Sequence, residues 1–541
     1  MEQLAIFQDD IPEPSLGIAP TAYADALGQW FVRQTAALER KVKGQYFTPI
    51  EIALFMAKMC EMTRREEVTV DVGAGAGVLS CALIEEATAQ SGVREMRLDS
   101  YENDTLLSML LRRSLSYASQ WAVERGLAVD AQVVESDFVL AEAEALGHDN
   151  LFGRREPRYT VAIMNPPYFK LSKSDSRARL AGPVVHGQPN IYALCMAVGA
   201  HLLVRGGVMV SITPRSFATG DYFRLFREKL FSIALPDAIH LFDSRKDAFR
   251  RDDVLQENII MRVRRDGLDH GIPTEPPTVT ISSSRGRADL EDASSVVVPL
   301  DSVLRLDTPE KMLSVPTSES EEALREWVGS WPETLGSLGL QVSTGPVVSF
   351  RAREHIVNMG ADPTLPGGGQ TMAPLLLLNH VDTMCLVWPL THLRKAQHIK
   401  VSTSSMPVLL PNRTYVLTRR FTSKEQKRRI VAAPLIAGEL PGEYLGLENH
   451  LNYIYRPGGE LTPSEACGLA AILNSRYVDD YFRIFSGHTQ VNATELRALP
   501  LPTMERIVAI GEAIRSGQWE SPDEIARRLL APPVGIAKRG E

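Results

Sequence analysis

The sequence predicts an α/β fold: a mostly parallel sheet covered by helices on both faces, followed by a C-terminal α+β domain. Three observations carry that expectation. Short β-branched runs alternate with helix-length stretches, the pattern of strands joined by helical crossovers. A glycine-rich turn, Asp71-Val72-Gly73-Ala74-Gly75-Ala76-Gly77, closes the first of those runs and opens a helical stretch. An apolar run, Tyr159-Thr160-Val161-Ala162-Ile163-Met164, ends on Asn165-Pro166-Pro167-Tyr168, where two prolines forbid both helix and strand ladder.

In chain order, Thr21–Lys41 carries apolar residues at helical spacing and is expected as a helix packed on the outside. Strands are expected at Val68–Val72, Met96–Tyr101, Ala131–Glu135, Tyr159–Met164, Val208–Thr213, Ala238–Phe242 and Asn258–Val263. From about Arg265 the composition turns to Pro, Ser and acids, as in Ile272-Pro273-Thr274-Glu275-Pro276-Pro277 and Ser314–Glu322. This reads as a connecting region with some β structure at Thr278–Ser282 and Ser295–Leu300. Short strands and turns follow to Pro502, and an amphipathic helix is expected near Met504–Ser516. The expected division is therefore an N-terminal helical arm at 1–40, an α/β domain at 41–265 and a connecting region at 266–329. A second domain at 330–502 and a C-terminal helix and tail at 503–541 complete it.

A chain of 541 residues exceeds one ordinary domain, and 44% hydrophobic with 23% charged residues is a globular composition. No uncharged apolar run approaches the ~18 residues of a membrane span. The start, Met1-Glu2-Gln3-Leu4-Ala5, lacks a basic n-region, so no secretory signal and a cytoplasmic location are expected. Cys60, Cys81, Cys195, Cys385 and Cys467 form no Cys-x-x-Cys pair; each is expected as a small buried hydrophobe, and no metal site is expected. The net charge is −8, yet Arg394, Lys395, Lys400, Arg413, Arg419, Arg420, Lys424, Lys427, Arg428 and Arg429 cluster in one stretch with Glu425 as its single acid. Local charge of that kind suits phosphate contact or a solvated face.

The residues that carry chemistry sit at the carboxyl ends of the expected strands, where open α/β sheets bind ligands. The small residues of the glycine loop let the backbone approach a ligand closely. Glu102 ends the second strand, where a carboxylate can take both ribose hydroxyls of a nucleoside. Asp137-Phe138 follows the third; the acid can accept from an adenine amino group while the ring packs on its face. Asn165 and the Pro166 carbonyl could accept the two protons of a planar amine, with Tyr168 stacked on it.

Asn165-Pro166-Pro167-Tyr168 resembles the signature of amino-methyltransferases, and the ordered strand-end residues resemble the S-adenosylmethionine site of class I methyltransferases. Lys43-Gly44-Gln45-Tyr46-Phe47-Thr48-Pro49 resembles the element that precedes the glycine loop in γ-type adenine methyltransferases. Gly187-Gln188-Pro189-Asn190-Ile191-Tyr192 and Gly487-His488-Thr489-Gln490-Val491-Asn492 extend the resemblance to the PstI/BsuBI-like, TaqI-related group of type II restriction–modification systems. The resemblance implies a Rossmann-like domain of seven strands, the seventh antiparallel, plus a target-recognition domain. It implies an enzyme that binds double-stranded DNA and methylates N6 of a flipped adenine, guarding a site that a cognate restriction endonuclease cuts; a monomer is expected.

Under that resemblance Thr48, Pro49, Asp71, Gly73, Gly75, Gly77, Glu102, Asp137, Phe138 and Asn165 would hold the cofactor, with Thr48 also suited to cap the helix after it. Asn165, Pro166 and Tyr168 would act on the base, with Phe249 as a second aromatic and Phe242 its competitor. Lys170 and Lys173, in the polar loop Lys170–Asn190, would join Arg394, Lys395, Arg419, Arg420, Lys427, Arg428, Arg429, Gln490 and Asn492 in holding DNA. Asn449-His450-Leu451-Asn452-Tyr453 is a second candidate for base edges. No Pro-Cys dipeptide occurs, which argues against cytosine C5 chemistry. Transfer to cytosine N4, to glutamine or RNA guanine, and a non-catalytic DNA-binding subunit remain open at this point.

Overall fold

The computed structural model describes residues 11–36, 40, 44–45, 47–143, 156–180, 189–219, 221–242, 258–265, 276–306, 308, 311–357, 371–422, 426–485, 490–517 and 521–533. The chain divides into two compact units, Met1–Thr317 and Ser318–Glu541.

The first unit is built on nine strands: β1 (Glu66–Val72), β2 (Glu95–Tyr101), β3 (Ala128–Val134), β4 (Tyr159–Met164), β5 (Leu203–Pro214), β6 (Leu235–Phe242), β7 (Asn258–Arg264), β8 (Thr278–Ser284) and β9 (Ser294–Pro299). Their order in the sheet is β3-β2-β1-β4-β5-β7-β6-β8-β9. Strands β3, β2, β1, β4 and β5 run parallel, and β7 is antiparallel to both β5 and β6, as the resemblance implies. All six residues of β4 are buried, which is why its sequence is a continuous apolar run rather than an alternation.

Helices α1 (Pro20–Gln34), α2 (Ile50–Met59), α3 (Val78–Ala89), α4 (Thr105–Val123), α5 (Phe138–Glu142), α6 (Ser176–Leu180), α7 (Ile191–Leu202) and α8 (Arg224–Phe231) accompany the sheet. Ile52 and Met56 of α2 and Leu83 of α3 pack on one face with Ile163, Val210 and Ile260. Leu194 and Val198 of α7 pack on the other with Val70, Ala162 and Met209. Helix α1 buries Leu27, Trp30 and Phe31 against Ala76 of the glycine loop and Leu107 of α4, so it covers the loop from outside.

One expectation is corrected. The β structure expected at Thr278–Ser282 and Ser295–Leu300 is present, but it extends the sheet instead of bridging domains: β8 pairs parallel with β6, and β9 pairs antiparallel with β8. Strand β6 would otherwise end the sheet with unpaired amides and carbonyls. The alternation Thr278-Val279-Thr280-Ile281 buries Val279 and Ile281 in the core of the first unit. The sheet therefore has nine strands instead of seven, and the boundary between the units falls between Thr317 and Ser318, not near 330.

The second unit holds a four-stranded sheet, β10 (Gln341–Thr344), β20 (Leu451–Tyr455), β17 (Tyr415–Arg419) and β18 (Ala432–Leu435), in that order. A five-stranded sheet orders β11 (Ile356–Val357), β15 (His398–Lys400), β12 (Met372–Leu376), β19 (Tyr444–Leu447) and β16 (Leu409–Pro411); β13 (Val381–Asp382) and β14 (Cys385–Leu386) form a hairpin. Helices α9 (Glu319–Gly329), α10 (Pro463–Asn474), α11 (Ala493–Arg497) and α12 (Met504–Arg515) complete the parts used below. Cys60, Cys81, Cys195 and Cys467 are buried, but Cys385 is exposed on the hairpin, against expectation. No helix among the described residues is long and apolar enough to cross a membrane.

Candidate active site

The glycine loop turns at the end of β1 with Gly73, Gly75 and Gly77 at φ of 74°, 58° and 96°, a region side chains disfavour. Gly77 opens α3, and a Cβ there would lie 2.6 Å from Ser114 Oγ. Gly73 is different: it borders the space at the carboxyl end of β1, and a Cβ there would have Asn165 O and Pro167 Cδ as its nearest neighbours, each at 3.9 Å. That space is a cavity of about 480 Å³ lined by residues that include Thr48, Gly73, Gly75, Glu102, Asp137, Phe138 and Asn165. Residues from five separate segments thus meet at the carboxyl edge of the sheet.

Glu102 is held from three sides. Its Oε2 accepts from Gly75 N at 2.9 Å, and its Oε1 accepts from Asn103 N at 2.9 Å and Asp104 N at 2.8 Å. Burial raises its pKa above the usual carboxylate value, opposed by those backbone bonds. The carboxylate therefore ties the glycine loop to the end of β2 while facing the cavity.

Asp71 behaves otherwise and corrects an expectation. It is fully buried beneath the loop, its Oδ2 accepting from Ser80 Oγ at 2.6 Å, and it does not line the cavity. Its Oδ1 has no partner among the described residues, and burial pushes the carboxyl up to about 7. Asp71 supports the loop from below. Gly77 and Pro49 likewise lie outside the cavity wall.

Asp137 caps α5 through Oδ1, which accepts from Leu140 N at 3.0 Å. Its Oδ2 accepts from Arg177 Nη1 at 3.1 Å, and Arg177 also grips Asp175 through Nε (2.9 Å) and Nη2 (2.7 Å). Arg177 lines the cavity beside Asp137, so the short helix α6 is tethered to this end of the site. Phe138 is buried edge-on to Tyr101, with ring centroids 5.0 Å apart.

Asn165 has both ends of its amide engaged. Nδ2 donates to Thr48 Oγ1 at 2.9 Å, and Oδ1 lies 2.6 Å from the Tyr168 hydroxyl. That hydroxyl is also 3.0 Å from the Ile212 carbonyl oxygen, and with one proton it donates to one of the two at a time. Thr48 accordingly does not cap α2. The cap residue is Pro49, whose ring has no hydrogen-bonding group, and the Thr48 hydroxyl serves Asn165 instead. Asn258, the first residue of β7, pairs with Pro214 at the carboxyl end of β5. Both polar atoms of its amide are buried without a partner among the described residues. Neither Arg177's tether nor Asn258 is readable from sequence, since each depends on a distant strand end. Phe249 lies outside the described residues; its competitor Phe242 is a core residue packed edge-on to His240 at 4.9 Å.

The DNA candidates separate by partner. Arg394, Lys395, Lys427 and Lys173 are exposed. Lys170 holds an antiparallel bridge to Asn190, with its ammonium 5.3 Å from the Tyr222 ring centroid. Arg429 is corrected: it is 1% exposed and stacks over Phe482 at 5.6 Å, so it cannot reach a phosphate. Arg428 is paired with Asp523 at 2.5 Å, and Arg419 Nε donates to the Val381 carbonyl at 2.6 Å. Asn492 is the N-cap of α11, its backbone N donating to Glu495 Oε2 at 2.9 Å. Asn452 is buried, donating to Val491 O at 2.8 Å and accepting from Thr344 Oγ1 at 3.0 Å. Residue type alone points to these side chains, but partners within the protein have already claimed them.

Two family models match the first unit: Eco57I restriction-modification methylase over residues 94–249 and N-6 DNA Methylase over residues 23–100. The chain is 35% identical over 493 residues to the type II methyltransferase M.PstI of Providencia stuartii, covering 91% of this chain and 93% of that one. It is 34% identical over 498 residues to the type II methyltransferase M.BsuBI of Bacillus subtilis, covering 90% and 94%. The chain belongs to this family of type II methyltransferases. A third relative, M.AccI of Acinetobacter calcoaceticus, is 24% identical over 235 residues, 42% of this chain.

Type II methyltransferases of this class take their methyl group from S-adenosylmethionine. The residues present fit that group. The cavity is roomy, the backbone of Gly73 and Gly75 borders it, and Glu102 and Asp137 offer acceptors on its wall for a nucleoside. When bound, the cofactor supplies an electrophilic methyl on a sulfonium centre.

Proposed function

We propose that this methyltransferase methylates N6 of an adenine turned out of double-stranded DNA, protecting the site from a cognate restriction endonuclease. The observation that carries the reading is the fixed Asn165 amide at the cavity's edge, its Nδ2 held by Thr48. The family descriptions and the named relatives support DNA as the substrate.

An exocyclic amine is a poor nucleophile because its lone pair is delocalised into the ring. The Thr48 bond to Nδ2 leaves Oδ1 as the acceptor that Asn165 presents. As the Tyr168 hydroxyl turns its proton to the Ile212 carbonyl, Oδ1 accepts one amine proton, and the Pro166 carbonyl takes the other. Two acceptors placed this way favour a pyramidal nitrogen and localise its lone pair toward the cavity. The surplus proton leaves to solvent after transfer. No covalent attachment to the protein is needed, so positioning and fixed dipoles carry the rate. Glu102 takes the ribose hydroxyls and Asp137 the cofactor's amino group, while Phe138 packs against its ring. Arg394, Lys395, Lys427 and Lys173 serve the phosphates, and turning the base out costs a few kcal/mol.

The test is incubation with labelled S-adenosylmethionine and plasmid DNA, with modified bases mapped by long-read sequencing. N6-methyladenine at one recurring sequence is expected. Methylated cytosine, or label on protein or RNA only, overturns the adenine assignment. Asn165→Ala is expected to abolish transfer with cofactor binding retained; undiminished turnover refutes its role.

A further inference from the structure

Three segments that are distant in sequence meet on one face of the second unit. Arg420 follows β17, His450 precedes β20 and Gln490 lies just before α11. Arg420 N donates to His450 O at 2.9 Å, Val491 N donates to Arg420 O at 2.7 Å, and Phe421 forms an antiparallel bridge with Gln490. The Phe421 ring is 38% exposed and stands edge-on to His450, with centroids 4.8 Å apart.

Arg420, expected from sequence to hold phosphate, is used inside this cluster. Its Nη1 donates to the Asn449 carbonyl at 3.2 Å and its Nη2 to Gln490 Oε1 at 3.3 Å. Its guanidinium carbon lies 5.7 Å from the Phe421 ring centroid. A guanidinium carries donors only, so it decides which end of the Gln490 amide faces it. The oxygen is turned toward Arg420 and the NH₂ away from it. No described residue accepts from that Nε2.

We propose that Gln490 reads one base position of the duplex as a hydrogen-bond donor, and that Arg420 is the positioning residue that keeps it so. The proposal rests on DNA being the substrate. In the major groove guanine, adenine and thymine each offer an acceptor, whereas cytosine offers only its amino donor. A glutamine locked as a donor therefore rejects cytosine at the position it reads. The exposed Phe421 ring beside it gives apolar contact to the neighbouring base or sugar. An unrestrained glutamine could turn over and accept, so Arg420 makes the selection directional.

The full chain and its Gln490→Ala, Gln490→Glu and Arg420→Ala variants are each allowed to methylate a plasmid library, and the methylated sites are sequenced. Binding of S-adenosylhomocysteine and the thermal midpoint are measured beside them as controls on folding. Gln490→Ala and Arg420→Ala are expected to admit cytosine at the same single position, with discrimination there falling about tenfold or more and other positions unchanged. Gln490→Glu, an acceptor, is expected to shift preference at that position toward bases with an amino group. An unchanged recognition sequence, relaxation at different positions in the two variants, or a uniform loss at every site overturns the proposal. A wild-type chain that leaves DNA unmethylated instead removes the functional reading itself.

Discussion

Asn165 is held by hydroxyls at both ends of its amide, and that constraint has measurable consequences. Thr48→Val keeps the shape but leaves Nδ2 buried without its partner, a loss of ~1–3 kcal/mol, so kcat/KM should fall roughly tenfold or more. Thr48→Ser, which keeps the hydroxyl, should restore most of it; steady-state kinetics on a duplex substrate checks the pair. Tyr168→Phe removes a hydroxyl shared between Oδ1 and the Ile212 carbonyl but keeps the ring, and should stay within about tenfold of wild type. Tyr168→Ala removes the ring assigned to the base and should lose about 1–3 kcal/mol of base stacking. Asp71 gives a pH signature. Its folded pKa of about 7 exceeds its ordinary 3.8, so between those values the folded state binds more protons than the unfolded one. Its contribution to stability is therefore fully present below about 3.8 and is lost as pH rises toward 7. Asp71→Asn should remove this dependence. The difference in thermal midpoint, variant minus wild type, should grow from pH 4 to pH 7.5; a pH-independent difference would contradict it. The motifs made these residues legible, because a strand end followed by a constrained turn is a local pattern. The partners were not legible: Thr48 looked like a helix cap until Asn165, 117 residues away, claimed its hydroxyl.

At the scale of elements, the strands of the first unit were legible, but for β8 and β9 their membership of the sheet was not. β4, β5 and β7 are apolar runs because both faces are covered. β8 and β9 have half-exposed faces and sit among Pro, Ser and acids, so the same composition that suits an edge strand also suits a linker. One element-level feature was invisible in the sequence. Helices α10 and α12 cross at two glycines: a Cβ on Gly468 would stand 1.8 Å from the Ile507 carbonyl oxygen, and one on Gly511 1.8 Å from that of Ser464. In sequence each is merely a helical glycine, a residue that usually costs stability. Here it permits backbone contact that nothing larger allows. Gly468→Ala or Gly511→Ala should force the helices apart and destabilise the second unit by about 1–3 kcal/mol or more, read by chemical denaturation. Gly329→Ala, at the end of α9 with open space around its Cβ position, is the control and should be close to neutral. Gly73→Ala acts elsewhere: Gly73 lines the cavity at a φ of 74°, so a side chain strains the loop there and weaker cofactor binding is expected.

Across the whole molecule, an acidic protein must bind a polyanion, and the exposed cations decide how well. The net charge of −8 disfavours approach to DNA at long range, leaving the local field to overcome it. Sequence alone offers every arginine and lysine of the basic stretch as a phosphate ligand. Arg429 is buried, Arg428 is spent on Asp523, and Arg419 is bonded to a backbone carbonyl, so each contributes to folding first. Arg394, Lys395 and Lys427 remain exposed on the second unit. Removing one cation that neutralises a phosphate should reduce the slope of log K against log salt by about 0.9 for duplex DNA. Replacing Arg394, Lys395 and Lys427 together by Ala should therefore lower the slope by roughly 2–3, and weaken binding alike for specific and unrelated sequences. Arg428→Ala should leave the slope unchanged and lower the thermal midpoint instead, because it breaks an ion pair between two parts of the second unit. Titrating labelled duplex across a salt series, with a melting curve for each variant, separates the two classes. If Arg428→Ala reduced the slope as much as Lys427→Ala does, the division of cations by their protein partners would be wrong.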